Sequence, residues 1–190
     1  MRTIKKVASH IFIDGFGGMT QGLFATLIIG TMIQQIGLLI GGSTGNVIYL
    51  LGKAAAALTS AGIGVGVAVK YGESPLVTVS AAVAAMVGGY AGKITGGTFF
   101  VDGNAVLAGP GEPLGAFIAA FAGITCGHLV SGKTKVDIIV TPVITIGAGS
   151  VVGLLVGPPI SQMMTGLGSI INWATEQRPF IMGIVVSVVM

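Results

Sequence analysis

Between Asp14 and Lys53 the chain runs for 38 residues without one charged side chain. An apolar stretch of about 20 residues is enough to cross a bilayer as a helix. The run therefore holds one complete span and the start of a second, and no water-facing surface can be made from it. The rest of the chain has the same character. Charged residues make up 8% of it, against about 25% in a soluble domain. That is too few to give 190 residues a soluble surface, so most of the solvent must be lipid. Mean hydropathy is +0.96. The expected fold is all-α, a polytopic transmembrane helix bundle forming a single domain over residues 1–190.

Other classes fall away on composition. The net charge of +3 is spread over short loops and forms no nucleic-acid patch. Cys126 is the only cysteine, which excludes an internal disulfide and a cysteine metal site. Neither the two histidines nor any nucleophile–base pair has the spacing of a metal or hydrolytic centre, so no metal and no cofactor is expected. The basic start Met1–Lys6 is followed by His10 and Asp14, which interrupt a signal-peptide core, and the N-terminus reads as retained.

Hydropathy and turn residues divide the chain. Spans are expected over Thr20–Ile40, Asn46–Val69 (with Lys53 inside it) and Leu76–Gly92, separated by the turn at Gly41–Gly45 and the polar loop Lys70–Pro75. A fourth follows over Leu114–Val130 and a fifth over Ile138–Val156, ending at Gly157-Pro158-Pro159. Pro142 falls within the first two turns of the fifth, where proline is best tolerated. Ile160–Thr175 reads as a short span or an interfacial helix, with Trp173 as an interfacial anchor. The run Phe180–Met190 is too short to cross about 30 Å, which suggests the front part of a longer protein. The expected total is about six or seven spans. With the N-terminus cytoplasmic and every segment crossing, Arg2, Lys5, Lys6, Lys70, Lys133, Lys135 and Arg178 fall inside and only Lys93 outside, a positive-inside pattern.

Glycine, at 33 residues, far exceeds its usual ~7%. Small residues recur four apart at Gly88, Gly92 and Gly96, at Gly115, Ala119, Gly123 and Gly127, and at Gly149, Gly153 and Gly157, which is the pattern of close helix contacts.

The segment Lys93–Pro113 breaks the pattern. Gly96, Gly97, Gly103, Gly109, Pro110, Gly111 and Pro113 make a continuous lipid-facing helix impossible, yet Phe99, Phe100, Val106 and Leu107 keep it apolar. Irregular backbone at membrane depth survives only inside protein or along a wet cavity, so a re-entrant or broken-helix segment is expected here. It carries the polar residues of most interest. Glu112, in Gly109-Pro110-Gly111-Glu112-Pro113, can accept paired sugar hydroxyls or bind a cation, or simply sit as a favourable acid at a helix N-terminus. Asp102 and Asn104 flank Gly103, either as a turn or as polar groups facing a cavity. His128 is an ionisable residue within the fourth span, a candidate for substrate or proton handling. Lys53 either snorkels or pairs with an acid. The candidate substrate-binding set is Glu112, Asp102, Asn104 and His128.

One motif misleads. Gly127-His128-Leu129-Val130-Ser131-Gly132-Lys133-Thr134 fits the phosphate-binding pattern G-x-x-x-x-G-K-[ST]. That loop works between a buried strand and a helix, whereas here a membrane helix leads in and its first glycine lies inside that helix. A loop whose lysines fix topology accounts for the same residues.

Several stretches together resemble one family. They include Gly22-Leu23-Phe24-Ala25-Thr26-Leu27-Ile28-Ile29-Gly30-Thr31, Gly111-Glu112-Pro113-Leu114-Gly115-Ala116-Phe117-Ile118-Ala119-Ala120, and Ser131–Pro142. Gly157-Pro158-Pro159-Ile160 and Ile171-Asn172-Trp173-Ala174-Thr175 also fit. The chain resembles the second type of enzyme IIC-like membrane proteins of the phosphoenolpyruvate-dependent sugar phosphotransferase system, which include proteins described as toxin regulators. The resemblance implies a bacterial plasma-membrane permease component that works as a homodimer. A IIC domain binds sugar within the membrane and a IIB phosphocarrier partner phosphorylates it, so a catalytic phosphocarrier residue is not expected in this chain. The glucose-type motif Gly-Ile-Thr-Glu is not complete: Gly123-Ile124-Thr125 is followed by Cys126, so that sugar-contacting acid does not carry over. An ion-coupled transporter of a small solute and a ligand-sensing membrane regulator fit the residues as well.

Overall fold

The computed structural model describes residues 10–101, 104–107 and 109–177. Apart from a short hairpin, it is helical. Helix α1 runs Ile13–Ile40, with wider π-helical winding over His10–Gly15 and Phe24–Ile28. It ends because Gly41 and Gly42 both take positive φ, at 65° and 63°, which a residue with a Cβ rarely adopts. The chain reverses there within one residue. Helices α2 (Gly42–Ala57) and α3 (Thr59–Lys70) then run back along α1, with a 53° bend between them at Leu58. Bare glycine backbone makes this antiparallel contact possible: a Cβ on Gly22 would stand 2.3 Å from Gly62 O, and one on Gly37 would stand 2.5 Å from Tyr49 N.

Helix α4 (Pro75–Gly89) starts cleanly, with Ser74 Oγ accepting from Val77 N and Pro75 in the first turn. After the short α5 (Ala91–Thr95) comes an antiparallel hairpin of β1 (Phe100–Val101) and β2 (Asn104–Ala105). Helix α6 (Pro113–Val130) opens on Pro113, and α7 (Asp137–Gln177) closes the described chain. Asp137 Oδ1 accepts from Gly132 N at 2.9 Å and from Thr141 Oγ1 at 2.6 Å, which fixes the loop to the first turn of α7.

The core lies where α3, α4 and α6 meet: Ile63, Val67, Val77, Ala81, Ala85, Ala116, Phe117, Ala120 and Ile124. The rows of small residues meet one another, as their spacing suggests. Gly88 faces Gly115 and Ala119, while Gly149 and Gly153 of α7 close on Ala119 and on Gly123 and Gly88 respectively. Gly92 faces Ser161 instead.

Helices α1, α6 and α7 are long and apolar enough to cross a membrane, and the bent pair α2–α3 makes a fourth crossing if taken as one span. The chain is thus a helical membrane protein with three or four candidate crossings among the described residues, fewer than the six or seven expected of the whole. One reason is that Ile138–Val156 and Ile160–Thr175 are a single helix. Pro158 and Pro159 do not stop it, because each removes only its own N–H, and neighbouring helices can shelter the freed carbonyls. Another is that α4 has 15 residues and falls short of the length of a span. Arg178 and the run Phe180–Met190 lie outside the described residues.

Candidate functional site

Lys93–Pro113 is not a continuous helix: α5, the β-hairpin and an irregular loop follow one another. The loop ends in Gly109-Pro110-Gly111-Glu112, with Gly109 at φ 82° and Gly111 at φ 76°. It is held from two sides. Ser60 Oγ, just past the bend at Leu58, donates to Pro110 O at 2.9 Å. Glu112 N donates at 2.6 Å to Gly89 O, at the end of α4. A Cβ on Gly111 would lie 2.4 Å from Ser60 Oγ, so only glycine lets the loop seat this closely.

Three interruptions therefore coincide: the bend between α2 and α3, the step from α4 to α5, and the loop into α6. From the loop Tyr71–Ser74 to this junction, α3 rises about 18 Å and α4 about 22 Å, at 1.5 Å per residue. On the other side of the loop, α6 is about 27 Å long. The junction thus stands most of a hydrocarbon thickness away from the face that carries Lys70, Lys133 and Lys135.

A cavity of about 180 Å³ opens at the junction, lined by Gly89, Gly92, Lys93, Pro110, Gly111, Glu112 and Ser161. Glu112 Oε1 is buried with no hydrogen-bond partner. Burial pushes its carboxyl above the usual range, since the charged form loses water. Lys93 Nζ lies 5.3 Å from the centre of the Tyr90 ring. A carboxylate with an open acceptor beside a polar cavity is equipped to receive hydroxyl donors from a small solute. Among the described residues no group of His, Cys, Asp and Glu could hold a metal ion.

The candidate residues do not all assemble here. Glu112 lines the cavity, and Asn104 sits on β2 opposite Val101, in the same interrupted segment. Asp102 lies outside the described residues. His128 is at the far end of α6, about 24 Å along the helix from Glu112. Its Nδ1 lies 3.0 Å from Glu73 Oε1 and 3.2 Å from Oε2. That contact, with Ser74 Oγ and Ser131 Oγ at 3.0 Å, joins the loop after α3 to the loop after α6. The lysine–threonine loop at Gly132-Lys133-Thr134 follows a helix, α6, and not a strand, so the phosphate-loop arrangement is absent. Lys53 lies on an exposed face of α2. Lys93 and Ser161 were not legible as cavity residues, nor Ser60 as the anchor of the loop. Ser60 and Ser161 lie inside apolar helices, where serine usually bonds its own turn, and Lys93 read as a topology marker.

The described residues thus form a helical membrane protein with a polar cavity at a junction of interrupted helices. The chain belongs to the family described as "Phosphotransferase system, EIIC", whose model matches residues 13–190. Comparison with curated proteins gives no match, and comparison with solved structures gives none.

Proposed function

We propose that this chain is the membrane permease component of a phosphoenolpyruvate-dependent sugar phosphotransferase system. The observation that carries the reading is Glu112: its buried Oε1 has no partner and lies beside a cavity of about 180 Å³, in a chain of the EIIC family. The sugar sits in that cavity and donates hydroxyls to the Glu112 carboxylate, while Lys93 and Ser161 offer donors to its oxygens. Asn104 and Asp102, which flank Gly103 in sequence, complete the proposed substrate-binding set. The chain holds the sugar in a closed position and a IIB phosphocarrier partner supplies the phosphoryl group. The protein sits in a bacterial plasma membrane as a homodimer. Its N-terminus and the Lys70, Lys133 and Lys135 loops face the cytoplasm. Contact between the loops at Glu73 and His128 supports placing Lys70 and Lys133 on one side.

The test is uptake of a panel of sugars by vesicles carrying the full-length protein, with and without phosphoenolpyruvate and the soluble carriers. Sugar phosphate that accumulates only with phosphoenolpyruvate, and is lost in Glu112→Gln, supports the proposal. Uptake that follows an imposed proton or sodium gradient and ignores phosphoenolpyruvate replaces it with ion-coupled transport. Ligand-dependent changes in gene expression without flux replace it with a sensing role.

A further inference from the structure

The junction is organised around a side chain outside the sugar-binding set. Tyr90 is fully buried at the step between α4 and α5. Its hydroxyl donates to Gly109 O, in the loop that carries Glu112. Ala57 O, at the last residue of α2 before the bend, lies 3.2 Å from the same hydroxyl. A phenol has one proton to donate, so the two carbonyls share it. At the same bend Thr59 Oγ1 donates to Ala56 O at 2.6 Å. Ser60 makes the parallel tie from the bend to Pro110 O. The carboxylate of Glu112, in contrast, has an unpartnered oxygen. Glu112 is thus held from behind, through its loop, by hydroxyls of two other elements.

We propose that Tyr90 is a positioning residue: its hydroxyl ties the Glu112 loop to the bend of the second span and so presents the Glu112 carboxylate to the cavity. The physical reason is polar satisfaction. Without the hydroxyl, Gly109 O and Ala57 O lose the donor they share in a half-buried setting, and the loop keeps only its ties through Ser60 and Gly89. The loop then moves and takes Glu112 with it. The functional meaning of the tie rests on the reading of Glu112 as the sugar-binding acid, but the tie itself can be measured without sugar.

The experiment uses the full-length protein in liposomes and N,N′-dicyclohexylcarbodiimide, which adds to protonated carboxyl groups in apolar surroundings. Labelling of the Glu112 peptide is followed by mass spectrometry across pH. Lys93 is the other titratable side chain lining the cavity, and Tyr90→Phe keeps the ring face it lies over. Tyr90→Phe is expected to slow Glu112 labelling at neutral pH by about tenfold, the effect of one lost hydrogen bond. The pH midpoint of labelling should also move down, toward that of an ordinary carboxyl. Ser60→Ala should move both in the same direction by less. An unchanged labelling profile in Tyr90→Phe overturns the proposal. If Tyr90→Phe loses its helical circular dichroism, Ser60→Ala decides, and an unmoved profile there overturns it equally. A shifted profile alongside intact phosphotransfer in Glu112→Gln leaves the tie standing and sinks the sugar-site reading. An unmoved profile alongside phosphotransfer lost in Glu112→Gln does the reverse.

Discussion

A glutamate stands at each end of α6, Glu112 just before its first turn and Glu73 reaching its last turn from the loop after α3, and the structure treats them in opposite ways. At one end Glu73 meets His128 with both carboxylate oxygens, within 3.2 Å of Nδ1. At the other end Glu112 has a buried oxygen with no partner, although its backbone N–H is bonded to Gly89 O. Burying a charge without a partner costs several kcal/mol, which is why such groups neutralise or acquire partners. Glu73 is explained by what it already touches: it joins two loops. Glu112 is not: its open oxygen belongs to a side chain that lines the cavity. An acid whose hydrogen-bonding capacity is met reads as structural, and one whose capacity is left open beside a void reads as a binding group.

The largest effect that would break this comparison is on activity. Glu112→Gln keeps the volume and removes the carboxylate, and it should lower phosphoenolpyruvate-dependent sugar phosphorylation in vesicles by at least ~100-fold, the scale of a lost charge-assisted pair of hydrogen bonds. Glu73→Gln should leave that rate within about twofold, because a side-chain amide still reaches His128. Equal losses in both variants would erase the distinction between the two ends.

How far the sequence foretold this difference depends on what each residue rests on. The 38-residue uncharged run and the rows of small residues are local patterns, and they fixed a helical membrane protein with close helix contacts. Glu112 was legible because glycine and proline on both sides of an acid already imply an irregular backbone. His128 looked equally ionisable and equally intramembrane, but its partner Glu73 is 55 positions away, and no local pattern records such a pairing. The bend at Leu58 was invisible for a related reason. Nothing near Leu58 is a strong breaker, and the bend is stabilised by hydroxyls from Thr59 and Tyr90. Pro158-Pro159 failed in the other direction: a strong local stop signal was overridden by the continuing helix α7.

Stability offers the next test, since the open carboxylate is tolerable only if the helices behind it hold. A Cβ on Gly88 would stand 2.3 Å from Ala119 Cβ and 2.5 Å from Gly115 O, neither of which can swing away. Gly88→Ala should therefore destabilise the α4–α6 contact by about 2 kcal/mol despite the better helix propensity of alanine. Gly147, on α7, has nothing within 4 Å of the same position. Gly147→Ala should be neutral or stabilising by up to ~1 kcal/mol. Thermal unfolding in detergent, read by circular dichroism, checks both. A milder loss at Gly88 than at Gly147 would mean that the rows of small residues are not what holds the junction.

The pH dependence of stability sharpens the comparison further. Burial raises the carboxyl of Glu112 above its ordinary value of 4.5 in the folded state. The folded protein then binds a proton over a range where the unfolded chain has lost it, so stability falls as pH rises from about 4.5 through the raised value. This is the reverse of the usual carboxylate, whose partners stabilise the charged form. Glu112→Gln should flatten that part of the unfolding profile. A profile that slopes equally in the variant would assign the effect to another group.

The smallest effect belongs to the closed end of α6. His128 is 70% exposed while Glu73 is 9% exposed, so the pair is open to water on the imidazole side and screened by salt. His128→Asn should cost about 0.5–1 kcal/mol of stability, the usual worth of an exposed pair. It should leave sugar phosphorylation within about twofold, because the side chain stands about 24 Å from Glu112 along the helix. Ser74 and Ser131 still bridge the two loops at 3.0 Å when the imidazole is gone, which limits the loss. Where the imidazole is protonated, raising the salt concentration should shrink the stability difference between wild type and His128→Asn. A loss of phosphorylation in His128→Asn as deep as that in Glu112→Gln would show that solute handling runs the length of α6 and that the two ends act as one device.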